Sequence, residues 1–227
     1  MKRKQLIAVT CAAAMCATTA MMTSGCTAVA IGGATYATTK AVGTITDRRT
    51  TGTVVDDKFL ERKISYEIDQ KLGTDTDKHV TVTAYNRRVL LSGEISSQTA
   101  KEAAGKIAAE NTDVREVINE LSVQENASVF KRMSDSTLAT KVRTRIIADQ
   151  KVELNQMKVV AERGIVYLIG ILTAEENKKA CQIAASTSGV ERVVSCVEIM
   201  TKKEIEERMR VLEENKTNQS EVEKESR

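Results

Sequence analysis

Residues 79–95 read "HVTVTAYNRRVLLSGEI" and residues 157–172 read "MKVVAERGIVYLIGIL". Laid over each other they are one pattern: Val82 meets Val159, Ala84 meets Ala161, Val89 meets Val166, Leu91 meets Leu168 and Gly93 meets Gly170. Val80 and Val82 alternate with Thr81 and Thr83, the period of a strand with one buried face. Asn86 and Gly164 sit mid-stretch, where a tight hairpin turn needs positive φ. Each stretch therefore reads as a β-hairpin, and the chain contains it twice.

The repeat extends both ways. Downstream, Ala104, Ile107, Ala108 and Asn111 in the first copy answer to Ala180, Ile183, Ala184 and Thr187 in the second. Small alanines let such a helix lie close to a sheet. Val114 and Val117 then match Val190 and Val193 in a last strand. Upstream, Leu60, Ile64, Ile68 and Leu72 form an apolar stripe, as do Leu138, Val142 and Ile146. Each copy reads helix, strand, strand, helix, strand. The expected fold class is α+β, with two helices on one face of a three-stranded sheet. Residues 56–126 and 132–200 are the two expected domains. Units this small bury little surface, so two copies packed together stabilise each other.

Aromatics make up only 3% of the chain and Trp is absent, so the cores must be built from Ile, Val, Leu and Ala. The net charge is +3, and Lys2, Arg3 and Lys4 supply all of it. Removing those three from 34 basic residues leaves 31, equal to the 31 acidic residues. A chain that loses its first residues is neutral, which argues against nucleic acid as a partner.

Those first residues have the marks of a signal peptide. "MKRK" is a positive n-region, and residues 5–22 carry no charge. The run ends in "TSGC", residues 23–26. This is similar to the lipobox of bacterial lipoproteins, where small residues precede an invariant Cys. Ser24 and Gly25 fit, and Thr23 stands where Leu is usual. Thr10 and Met15 are too large to serve before Cys11 and Cys16. An ordinary signal peptide, cleaved near "MCA" or "SGC", is the alternative. Residues 1–25 are thus expected to be removed. Cys26 is expected to be the lipid anchor, its thiol and freed amine taking acyl chains such as palmitate. Each buried methylene contributes roughly 0.8 kcal/mol, so several chains hold firmly. The resemblance implies outer-membrane sorting, facing the periplasm, because Thr27 and not Asp follows the Cys. Residues 26–55, rich in Gly, Ala and Thr, read as a flexible tether. The alternative is a close-packed helix face of Gly32, Gly33, Ala37, Ala41 and Gly43.

A valine-rich hairpin ending "VLLSG" or "VYLIG", an Ala-rich helix, "V-x-x-V" and a final strand resemble the BON domain. Residues 47–57, "DRRTTGTVVDD", are similar to the lead-in of dual-BON outer-membrane lipoproteins. Asp47, Arg49, Gly52, Thr53, Asp56 and Asp57 match it, and Arg48 replaces the usual proline. The resemblance implies a lipoprotein that binds anionic phospholipid through its second domain and supports envelope integrity near the division site. Residues 201–227 have no counterpart in it. Ile205, Met209 and Leu212 suggest a short fraying helix, followed by a charged, mostly disordered tail.

No residues suggest catalysis, a cofactor or a metal centre. His79 is the only histidine and starts a strand. Asp56 and Asp57 are adjacent and are expected to cap a helix. There is no phosphate-binding glycine loop and no His/Cys cluster with metal spacing. Cys181 and Cys196 survive processing. The repeat places them on opposite faces of the second sheet, so they are expected to be unpaired thiols.

The strongest binding feature is the second copy's first helix, "STLATKVRTRIIAD", residues 136–149. No acid lies between Asp135 and Asp149. Lys141, Arg143 and Arg145 border the Leu138 stripe and Ile147, an arrangement suited to an anionic lipid surface. The first copy's helix mixes Glu61, Glu67 and Asp69 with its bases, so lipid is expected on the second. The family resemblance implies an aromatic near the start of this helix. The matching place is Thr137, and Phe130 and Met133 are the candidates to replace it. Leu138, Lys141, Arg143, Arg145 and Ile147 are the expected phospholipid-binding residues. The alternatives are a periplasmic protein-interaction module, acting on an outer-membrane assembly or cell-wall hydrolase system, and a structural role through self-association.

Overall fold

A computed structural model describes residues 47–73 and 78–225. The expected signal peptide, Cys26 and the tether up to residue 46 lie outside the described residues. The first domain runs α1 (Thr51–Leu72), β1 (Lys78–Tyr85), β2 (Arg88–Ile95), α2 (Gln98–Ala109), β3 (Glu116–Asn119) and β4 (Ser122–Val123). The second repeats it as α3 (Val129–Asp149), β5 (Met157–Glu162), β6 (Ile165–Leu172), α4 (Ala174–Ala185), β7 (Arg192–Ser195) and β8 (Glu198–Ile199). A last helix, α5, spans Lys202–Glu225. Each of these five α-helices is N-capped by a Ser or Thr side chain: Thr50, Ser97, Ser128, Thr173 and Thr201.

In each domain the hairpin strands pair antiparallel, and the third strand joins β2 or β6 in parallel, interrupted so that β4 and β8 continue its pairing. The helices cover one face, giving the expected α+β units. Leu60, Ile64 and Ile68 meet Val89, Leu91 and Ile95 in the first core. Leu138, Val142 and Ile146 meet Val166, Leu168 and Leu172 in the second.

The opposite faces of the two sheets are also apolar and pack together. Tyr85 and Leu90 of the first sheet join Tyr167, Ile169, Ile171 and Cys196 of the second. Cys181 packs on the helix side of the second sheet and Cys196 on this inner side, both as free thiols. Burial pushes the Cys196 thiol up to about 11 and raises that of Cys181, so neither is a thiolate at neutral pH.

Polar contacts rim the seam between domains. Lys158 Nζ donates to Glu61 Oε1 (2.7 Å) and to the Ala84 carbonyl (2.8 Å). Thr81 donates to Glu162 (2.8 Å), Asn86 to Glu198 (3.0 Å) and Arg163 to Glu94 (2.7 Å). Glu61, Glu176 and Glu198 titrate below the usual carboxylate range. Burial alone would raise each. Lys158 with the Ala84 amide, Arg48 with the Thr173 amide, and Arg115 with Asn86 outweigh it. A carboxylate with a depressed folded pKa stabilises fully above its unfolded value, near 4.5, and loses that contribution as pH falls through the folded value. Glu162 acts the other way. Burial raises its pKa, so its protonation above 4.5 favours the folded state. The denaturation midpoint should thus hold from pH 7 to about 5 and drop below about 4.5. An equal midpoint at pH 3.5 and pH 7 would contradict this account of the seam.

Three expectations need correction. The tether does not extend to residue 55: residues 47–50 are docked and α1 begins at Thr51. Arg48 donates to the Ile171 carbonyl (2.7 Å) and to both oxygens of Glu176 (2.9 and 2.8 Å), all in the second domain. Arg49 is held by Asp47 and Asp57 and lies over the Tyr85 ring at 3.7 Å.

Asp57 does not cap a helix. It lies mid-helix, fully buried, and accepts from the amides of Asn86 and Arg87 (both 2.8 Å) at the hairpin turn. Asp135 does the same for Arg163 (2.8 Å) and Gly164 (3.0 Å). All four turn residues have positive φ, as a two-residue type I′ turn requires.

Residues 202–225 are not a disordered tail but helix α5. Ile205 and Leu212 are buried, and Arg208 between them donates to the Arg48 carbonyl (2.5 Å) and to Asn86 Oδ1 (2.9 Å). The body is what orders the first turns of this polar helix, which its own propensity would leave marginal.

Candidate lipid-contact site

Helix α3 begins at the Ser128 cap, and two interactions fix its rotation. The core takes Leu138, Ala139, Val142 and Ile146. Asp135, 3% exposed, is pinned under the β5–β6 turn. The opposite side must then face solvent. Phe130, Thr137 and Lys141 stand seven and four residues apart on that outer line, with Met133 beside them. Phe130 is 83% exposed, Val129 68% and Met133 63%. A core-sized Phe left almost wholly in water is costly to a monomer and marks a contact surface.

Of the five expected contact residues, Leu138 is ruled out: it is 5% exposed and part of the second core. It belongs to the same four-residue stripe as Val142 and Ile146, and the core claims the whole stripe. Arg143 is half-buried and donates to the Val159 carbonyl. It lines a groove of about 410 Å³ with Lys58, Glu61 and Lys158. Arg145 donates to the Ser186 carbonyl (2.6 Å), Ser186 Oγ (3.0 Å) and Thr187 Oγ1 (3.0 Å), tying α3 to the end of α4. Both guanidinium heads are engaged by the fold. Lys141 is exposed with no partner among the described residues. Ile147 is 59% exposed. It lies six residues from Lys141 and about 120° round the helix, so the two do not share a face.

The exposed apolar side chains of α3 thus concentrate toward the helix N-terminus, at Val129, Phe130 and Met133. Their signal in the sequence is three apolar residues ahead of Asp135 that fall outside the core stripe. His79 lies half-buried, its pKa lowered by burial and by Arg132, so it is neutral at pH 7. Among the described residues no group of three or more His, Cys, Asp or Glu side chains could hold a metal ion. Among them, too, no helix is long and apolar enough to cross a membrane.

The BON domain matches this chain twice, over residues 56–125 and 134–200. Helix α5 lies beyond both matches. The outer membrane lipoprotein DolP of Haemophilus influenzae is 36% identical over 170 residues, covering 75% of this chain and 86% of that protein. The 21 kDa hemolysin of Actinobacillus pleuropneumoniae is 32% identical over 151 residues, covering 66% of this chain and 78% of that protein. With two domains of this kind, each built on the same buried Asp and hairpin turn, the chain belongs to the BON-domain family and is an outer-membrane lipoprotein.

Proposed function

We propose that this lipoprotein is fastened through acylated Cys26 and grips anionic phospholipid with helix α3, supporting envelope integrity by binding and not by catalysis. The observation that carries the reading is the exposed Phe130, flanked by Val129 and Met133 and in line with Lys141, which has no partner among the described residues. Apolar side chains enter the acyl boundary, while Lys141 and the surface-facing edges of Arg143 and Arg145 meet phosphates. A division-site location belongs to the same reading and rests on the family resemblance.

The test is a titration of the mature chain, with Cys26→Ser to remove acylation, against phosphatidylglycerol vesicles. Burying Phe130 is worth about 1.5–3 kcal/mol, so Phe130→Ser should weaken binding roughly 10- to 100-fold. Lys141→Glu changes the charge by two units, at around 1 kcal/mol each near an anionic surface, and should weaken binding roughly 30-fold. Raising salt should weaken the native protein steeply. Binding unchanged in both variants would sink the site. For the unsubstituted protein, a mature N-terminus at Cys26 without acyl mass would sink the anchor.

A further inference from the structure

Helix α1 of the first domain carries its own exposed stripe. Val55, Phe59, Arg62 and Tyr66 are spaced four, three and four residues apart, which places them within about 60° of one another on the helix. Val55 is 63% exposed, Phe59 68% and Tyr66 65%, the largest such group outside α3. The acids that made this helix look unsuited to lipid are elsewhere. Glu61 is turned into the seam, holding Lys158 Nζ (2.7 Å) and the Ala84 amide (3.0 Å). Glu67 accepts from Asn111 Nδ2 (3.0 Å). Asp56 pairs with Arg87 (3.1 Å), and Asp69, past the end of the stripe, with Lys78 (3.6 Å). Between Val55 and Tyr66 the charge left on the outer side is cationic. Arg62 lies within the stripe and Lys63 beside it, neither with a partner among the described residues, and Lys58 flanks the other side.

We infer that α1 is a second membrane-contact surface, and that its occupant is an anionic bilayer. Two aromatics and a valine bordered by Arg and Lys, with Glu61 and Glu67 turned away and Asp56 and Asp69 ion-paired, is the chemistry of a helix lying in a lipid interface. A protein partner would be expected to meet a patch poor in lysine. The protein is an outer-membrane lipoprotein, and of the described elements α1 is nearest in sequence to Cys26. The inference deepens the lipid reading of α3 by adding a separate surface on the other domain, and it stands or falls on a separate signal.

The chain contains no tryptophan, so one introduced indole reports alone. Phe59→Trp and Phe130→Trp are made separately in the mature chain carrying Cys26→Ser, and each is mixed with phosphatidylglycerol vesicles bearing brominated acyl chains. Phe59→Trp should shift to the blue and lose more than half its emission, but not with phosphatidylcholine vesicles. Adding Arg62→Glu should weaken that response roughly tenfold or more. Quenching of Phe130→Trp with an unmoved Phe59→Trp overturns the α1 surface and leaves α3 standing. The reverse pattern supports α1 and overturns α3. Silence from both overturns both.

Discussion

Asp57→Ala is expected to destabilise the protein by about 3–5 kcal/mol, the range for breaking a buried, hydrogen-bonded charge pair. The carboxylate is fully buried and accepts three hydrogen bonds, from the amides of Asn86 and Arg87 and from Arg49 Nη1 (2.9 Å). Its removal leaves two turn amides without an acceptor and a 9%-exposed guanidinium short of a partner. Asp135→Ala should cost less, about 2–3 kcal/mol, because its ionic partner is Lys131 at 3.7 Å with a half-exposed side chain. Urea denaturation of both variants measures the difference. A loss under 1 kcal/mol for Asp57→Ala would mean the turn holds itself.

The second large effect is expected at the two glycines that the repeat pairs. A Cβ at Gly93 would sit 2.0 Å from the His79 carbonyl oxygen, on a residue with φ of +111°. At Gly170 it would sit 2.3 Å from the Gln156 carbonyl oxygen and 2.7 Å from Met157 Cα. The obstacles are backbone in the neighbouring strand or directly before it, so the strands must part. Gly93→Ala and Gly170→Ala should each cost about 3 kcal/mol or more, beyond ordinary overpacking. Thermal melting should show a fall of roughly 6–12 °C for that loss in a chain of this size. Gly52→Ala is the control. Its nearest neighbour would be Thr50 Oγ1 at 3.7 Å, inside a helix, and it should raise stability by about 0.5 kcal/mol. Equal losses at all three positions would contradict the close-approach account.

The helix-side cores were legible because they rest on local periods. Leu60, Ile64 and Ile68 recur every fourth residue, and Val89 and Leu91 every second. The inner sheet faces were less so. Runs such as "VYLIGIL" signal burial on both sides, but only the folded pair shows that Tyr167, Ile169 and Ile171 meet the other domain. Asp57 escaped because its role is set by a turn 29 residues away. Helix α5 escaped because Arg208 finds its acceptors 160 and 122 residues upstream. On α3, sequence misjudged which side faces outward. It counts cations, yet it does not see the Val159 and Ser186 carbonyls that occupy two of them.

The docking of Arg48 has a mechanical meaning. A pull from the membrane enters the body at Asp47, directly before α1. Were residues 47–50 loose, such a load would peel α1 away turn by turn from its N-terminus, breaking one hydrogen bond at a time. Instead Arg48 passes the force to β6 and α4, Arg49 passes it to Asp57 in the middle of α1, and Arg208 passes it to α5. These contacts share the load, so both domains carry the strain of the anchor.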